Sequence, residues 1–131
     1  MGDLYLKTYE NEEDLKKITG LRSIEFEALH ERFSDLWILY FSQFTLEGRP
    51  RLRQSSSRKN NIFRDTREVL LFGLIYLKND ILQEDIAKQF GIDQPKVSRY
   101  LNLVKKLIKQ SIEKGKVLPA KKQEWLLKQL E

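Results

Sequence analysis

Residues 83–108 read QEDIAKQFGIDQPKVSRYLNLVKKLI, and the reading of that stretch decides the fold. A helical pattern runs into Gly91, the chain turns over Ile92, Asp93, Gln94 and Pro95, and a second helical pattern starts at once with Lys and Arg on its polar side. Two short helices that cross steeply need a small residue where their backbones meet, and Ala87 is placed for it. The first helix must then be left through a left-handed residue, a conformation glycine adopts without steric cost, and Gly91 stands at that point. Ile92 is expected to drop into the core from the turn. Asp93 is expected to cap the new helix, and Pro95 is tolerated in its first turn. Ile86 and Phe90 before the turn, with Val97 and Leu101 after it, make a shared apolar seam. Such a helix-turn-helix exposes its second helix, the one that enters a DNA major groove in proteins built this way.

At about 100° per residue, the second helix sorts into faces. Val97, Leu101, Val104 and Ile108 fall on one stripe, which must be the core side. Pro95, Arg99, Asn102 and Lys106 fall opposite, with Ser98 and Lys109 on one flank and Lys96 on the other. Arg suits guanine and Asn suits adenine, while lysines suit phosphates. Gln94, Lys96, Ser98, Arg99 and Asn102 are therefore the expected base-reading residues, and Lys88, Lys105, Lys106 and Lys109 the expected phosphate contacts. The weaker reading is an amphipathic helix with a polar outside. Tyr100, Leu103 and Leu107 form a second apolar strip, expected to pack on a neighbouring helix, with a dimer interface as the alternative.

Outward from this unit the chain reads as helices. Asn11 is a plausible N-cap for NEEDLKKI (11–18), with acids in its first turn, lysines in its last and Gly20 beyond. Ser23 is placed to cap the next helix, in which Phe26, Leu29, Phe33, Leu36, Trp37 and Tyr40 recur at three- and four-residue spacing. Asp65 and Glu68 form a capping box for TREVLLFGLIYLKN (66–79), apolar on most sides and therefore expected at the centre. A long helix from Gln94 to about Lys114 ends at Gly115, and Pro119 precedes a last short one with Trp125, Leu126, Leu127 and Leu130. No stretch alternates with period two. The expected fold class is all-α: a compact helical bundle of about five to six helices containing the helix-turn-helix. One domain is expected overall, with N-terminal helices over 1–46 packing on the core and a basic flexible loop over 47–61. The helix-turn-helix core spans 62–118, with its recognition helix near 94–114, and a C-terminal helix covers 119–131.

Composition narrows the function classes. The 131 residues are 40% hydrophobic and 33% charged, as in globular proteins with charged surfaces. Cysteine is absent, which removes disulfides, thiolate zinc sites and cysteine nucleophiles. The longest apolar run, VLLFGLIYL (69–77), is too short to span a bilayer, so no membrane partner is expected and a cytoplasmic location is the simplest reading. The net charge of +5 is unevenly placed: residues 1–36 carry −4, residues 37–93 carry +2 and residues 94–131 carry +7. A basic C-terminal third favours a polyanion such as double-stranded DNA. The loop GRPRLRQSSSRKNN (48–61) holds Gly48-Arg49-Pro50, a fragment of the hook that lies in narrow minor grooves. Arg49, Arg51 and Arg53, with Arg58 and Lys59 beyond, are candidate phosphate contacts there, against the alternative of a solvated loop. The acidic clusters Glu12-Glu13-Asp14 and Glu84-Asp85 sit in helix first turns, where acids favour the dipole, so no metal site or cofactor is expected. His30, the single histidine, is expected at the surface, and no catalytic constellation is visible.

ITGLRSIEFEALHERF (18–33), the GRPRLR stretch (48–53) and REVLLFGLIYLKNDILQEDIAKQFGIDQPKVSRYLNLV (67–104) together resemble the N-terminal helix-turn-helix domain of DDE-superfamily insertion-sequence transposases. The similarity runs from about Ile18 to Pro119 and is most specific in FGIDQPKVSRYL (90–101). Asp93 and Gln94 stand where the family usually has Ser and Gln. The resemblance implies recognition of the element's terminal inverted repeats, and position by position it singles out Gln94, Lys96, Ser98, Arg99 and Asn102. In the family the chemistry uses three carboxylates on a ribonuclease H-like domain binding two divalent metals. That domain would follow Pro119, where a short helix is all that remains, so this chain is not expected to be an enzyme by itself. The partners implied are DNA, with a second copy or a separately encoded catalytic part as further options. The alternatives are a stand-alone dimeric transcriptional regulator and a protein–protein interaction module of the same fold.

Overall fold

The computed structural model describes residues 11–46, 48–50, 66–79, 81–113 and 117–130. Among these the chain forms six helices and no strand: α1 (Glu12–Thr19), α2 (Ser23–Gln43), α3 (Thr66–Asn79), α4 (Gln83–Phe90), α5 (Gln94–Glu113) and α6 (Ala120–Leu130). The all-α bundle expected from the periodicity is the fold observed.

Several of the described helix boundaries have a local cause. Asn11 Oδ1 accepts from the N–H groups of Glu13 and Asp14, satisfying donors that a helix start leaves unpaired. Gly20 ends α1 at φ +79°. Below it the Thr19 hydroxyl, fully buried, donates to Leu15 O at 2.7 Å and accepts from the Leu21 N–H at 3.1 Å. The start of α2 differs from the expectation: Arg22, not Ser23, is the N-cap. Ser23 is the first helical residue, and its hydroxyl turns to Glu12 on α1. The return bond comes from Glu25, whose Oε1 accepts the Arg22 N–H at 2.8 Å. That carboxylate does the capping work which the sequence suggested for serine. Asp65, half of the capping box expected for α3, lies outside the described residues, as do Lys114 and Gly115 at the expected end of α5.

Helix α3 lies at the centre, packed on α1, α2, α5 and α6, and Val69–Ile75 are all buried. Gly73 is the reason α5 can approach so closely. A Cβ built on it would stand 2.3 Å from Val104 Cγ1, a separation no real Cβ tolerates. The small residue that the sequence reading assigned to Ala87 is thus matched by a tighter one on the preceding helix, where hydrogen in place of methyl lets two backbones come together. Phe72 meets Phe90 edge to face at 5.1 Å, fastening α3 to the end of α4.

Helix α2 supplies an aromatic ladder. Phe33, Trp37 and Phe41 follow one another with ring centroids 5.9 and 4.7 Å apart, and Trp37 stacks on Tyr100 of α5 at 6.4 Å. This settles the second apolar strip of α5. Tyr100, Leu103 and Leu107 are buried in the same core cluster as the α2 aromatics, so the strip belongs to the fold. His30 is also relocated: it is buried on α2, with Nε2 hydrogen-bonded to Thr66 Oγ1 at 2.6 Å, not at the surface. One turn earlier Glu27 receives a bidentate bond from Arg67 (3.0 and 3.1 Å), so polar contacts join α2 to the start of α3. Polar residues at heptad-like spacing can face a partner helix, which a surface reading of one histidine overlooks.

Candidate nucleic-acid interface

The turn between α4 and α5 is built as its sequence demands. Gly91 has φ +66°, and its N–H donates to Lys88 O while the Ile92 N–H donates back to Ala87 O at 2.9 Å. This pair of bonds is a Schellman motif, which satisfies the last carbonyls of α4. Ile92 is buried beside Ala87 in the core cluster, so the apolar contact that accompanies the motif is present. The carbonyl of Asp93 accepts the Val97 N–H at 3.0 Å and opens α5. Ile86, Phe90, Val97, Leu101, Val104 and Ile108 are all buried, so the inner stripe of α5 is placed as read.

With that stripe inside, the opposite face is directed outward by helical geometry alone. Gln94, Pro95, Lys96, Arg99, Asn102, Lys106 and Lys109 are exposed, and Ser98 is half-buried on the flank. From Gln94 to Asn102 the helix rises about 12 Å, comparable to the width of a B-DNA major groove. No acidic side chain interrupts this face before Glu113.

The lysines are not equivalent. Lys105 is half-buried, with Nζ 5.3 Å from the centre of the Tyr76 ring, a cation–π contact that holds it towards α3. Lys109 stands 4.0 Å from Glu113 one turn on, which offsets part of its charge. Lys106 and Lys88 are exposed. Tyr76 is the residue a one-helix reading missed, since nothing in the α5 pattern shows which lysine a neighbouring aromatic will claim.

Arg49 sits apart from this face, on a turn following α2. The Thr45 N–H donates to Arg49 O at 2.8 Å, the Arg49 N–H donates to Thr45 Oγ1, and Phe44 pairs with Pro50 in an isolated antiparallel bridge. Gly48, at φ +84°, closes the turn, and the Tyr40 hydroxyl donates to Thr45 O. Arg49 is exposed there on an ordered backbone. Arg51, Arg53, Arg58 and Lys59, and with them most of the loop expected over 47–61, lie outside the described residues.

Residues 65–114 match the family described as the helix-turn-helix of DDE superfamily endonuclease. These residues hold α3, α4 and α5, and over this segment the chain is similar to a transposase-type helix-turn-helix and not to a catalytic domain. No curated protein and no solved structure matches the chain. Among the described residues no group of three or more His, Cys, Asp or Glu side chains is placed to hold a metal, and no helix is long and apolar enough to cross a membrane.

Proposed function

We propose that this chain recognises double-stranded DNA in a sequence-specific way, reading the terminal inverted repeats of a transposable element through α5. The observation that carries the proposal is the face formed by Gln94, Lys96, Arg99 and Asn102. It is exposed, free of acids and set opposite a fully buried stripe, on the helix that follows the Gly91 turn. Arg99 and Asn102, three residues apart, present a guanine-type and an adenine-type bidentate group at neighbouring positions, with Ser98 on their flank. Lys106 and Lys88 are assigned to phosphates, with smaller contributions from Lys105 and Lys109, whose ammonium groups have partners within the fold. Arg49 adds a backbone or minor-groove contact from its turn, and Arg51 and Arg53 extend it along the chain. In this reading strand cleavage belongs to a separate catalytic part of the transposase.

The test is a titration of the protein with two duplexes, one from the DNA flanking its own gene and one of scrambled sequence, at several salt concentrations. Tighter binding to the flanking duplex, by on the order of 10³-fold or more, is the expected result. Equal affinity for the two would overturn sequence-specific reading, and absence of binding to both would leave the fold to a protein partner.

A further inference from the structure

A second cationic surface lies away from α5. Lys78 at the end of α3, Gly20 at the end of α1, and Lys121, Lys122 and Trp125 on α6 line an open groove of about 280 Å³. Four features give it a definite chemistry. Trp125 is half-buried and forms the aromatic wall, with Lys78 Nζ 5.9 Å from the ring centre. The Lys78 stem runs along Gly20, with Cε 3.6 Å from where a Cβ would stand, so the lysine lies in van der Waals reach of the end of α1. Lys122 is committed to Glu25 of α2 and serves as a structural strut. Lys78 and Lys121 are both exposed, and among the described residues no carboxylate lines the groove beside them. Two ammonium groups thus face one concavity that, among the described residues, no carboxylate lines, and an anion is their chemical complement.

We propose that this groove is a second DNA-backbone site, in which Lys78 and Lys121 hold phosphates of a duplex and Trp125 packs against the sugar edge. The phosphodiester backbone is favoured because the described lining offers flexible lysine donors in an open groove and not a closed ring of donors fitted to one small anion. Repeated charges along a backbone suit two lysines contributed by different helices. The site uses α1, α3 and α6, none of which is the recognition helix, so the domain would grip DNA at two places. It would then either bend one duplex or bridge two. This inference rests on the DNA-binding reading above.

The experiment uses the full chain carrying Trp37→Phe, which leaves Trp125 as the single tryptophan. Its emission is followed while a scrambled duplex is added at several salt concentrations. The expected result is a change in Trp125 emission on binding. Lys78→Ala/Lys121→Ala should weaken binding by about tenfold at moderate salt and make the salt slope shallower by roughly two units, as the loss of two phosphate contacts requires. Lys78→Arg/Lys121→Arg should restore both values, which separates charge from folding. Lys16→Ala/Lys17→Ala, an equal change of charge on the exposed side of α1, should leave the slope unaltered. If the parent binds DNA but the groove variant binds with the same affinity and slope, the groove is not a DNA site and this inference fails alone. If the parent binds no duplex at all, the DNA-binding reading fails first.

Discussion

Two glycines in the helix-turn-helix do different physical work, and they separate backbone strain from space. At Gly91 the φ of +66° is the whole requirement, because a Cβ there would meet nothing within 4 Å. Gly91→Ala should therefore lower stability by about 1–2 kcal/mol, the cost of a left-handed L-residue. Gly91→Asn should cost less, since Asn tolerates that region. Gly73 is helical, so propensity alone would make Gly73→Ala stabilising by about 1 kcal/mol. The 2.3 Å approach to Val104 Cγ1 reverses the sign. Gly73→Ala should destabilise by about 1–3 kcal/mol through overpacking, and adding Val104→Ala should recover part of the loss. Denaturant melts of the four variants decide it: a neutral Gly73→Ala would mean that α3 and α5 are not pressed together as described. The first glycine was legible because a turn announces itself between two helical patterns. The second was not, because its partner lies 31 residues further on and nothing local marks the contact.

At the scale of one element, α5 divides between a packing face and the face proposed to read DNA. Arg99 and Lys106 share its exposed face, yet the roles proposed for them differ. Contacts to base edges carry sequence information, at about 1–3 kcal/mol per good bidentate pair, and contacts to phosphates carry none directly. Arg99→Ala should shrink the gap between flanking and scrambled duplex by one such increment. Lys106→Ala should weaken both duplexes about equally and make the salt slope shallower by roughly one unit. Lys105→Ala should change DNA affinity less than Lys106→Ala, because its ammonium is engaged by Tyr76. Titration of the three variants against both duplexes provides the comparison. Should Arg99→Ala weaken both equally, the helix would lie along the backbone and not in the groove. The exposed face was legible from 100° periodicity, since the buried stripe leaves one direction for the rest. Which lysine remains available was not, because it depends on a side chain of α3.

Across the whole molecule, one buried carboxylate links the N-terminal helices to α6. Glu25 caps α2 through the Arg22 N–H and receives a hydrogen bond from Lys122 of α6. Burial alone would raise its pKa, but the bonds from Lys122 and Arg22 together outweigh that and hold it below 4.5. A carboxylate with a lowered folded-state pKa contributes stability in full above its unfolded value, and that contribution is lost as pH falls through the folded value. Glu25→Gln should therefore cost about 1–2 kcal/mol at neutral pH. The gap to the parent should narrow as the pH falls below the ordinary carboxylate range and through the lowered folded-state value, where Glu25 itself becomes protonated. Thermal melts over a descending pH series from about pH 7 test this directly: a gap that does not narrow with falling pH would show that shape, not charge, joins the two ends.

The local signals in this chain were enough to determine its helices and the turn that aims α5. The spacing of apolar residues and the position of Gly91 act over a few residues, and backbone sterics and helical period read the same in any context. Tertiary structure decided what depends on distant partners. His30 left the expected surface for Thr66, the cap of α2 passed from Ser23 to Glu25, and Tyr100, Leu103 and Leu107 became core instead of interface. In the same way Lys78, Lys121 and Trp125 came to share one groove. Each outcome requires two or more helices to be in place, because a side chain's burial and its nearest opposite charge are properties of the packed assembly and not of the segment that carries it.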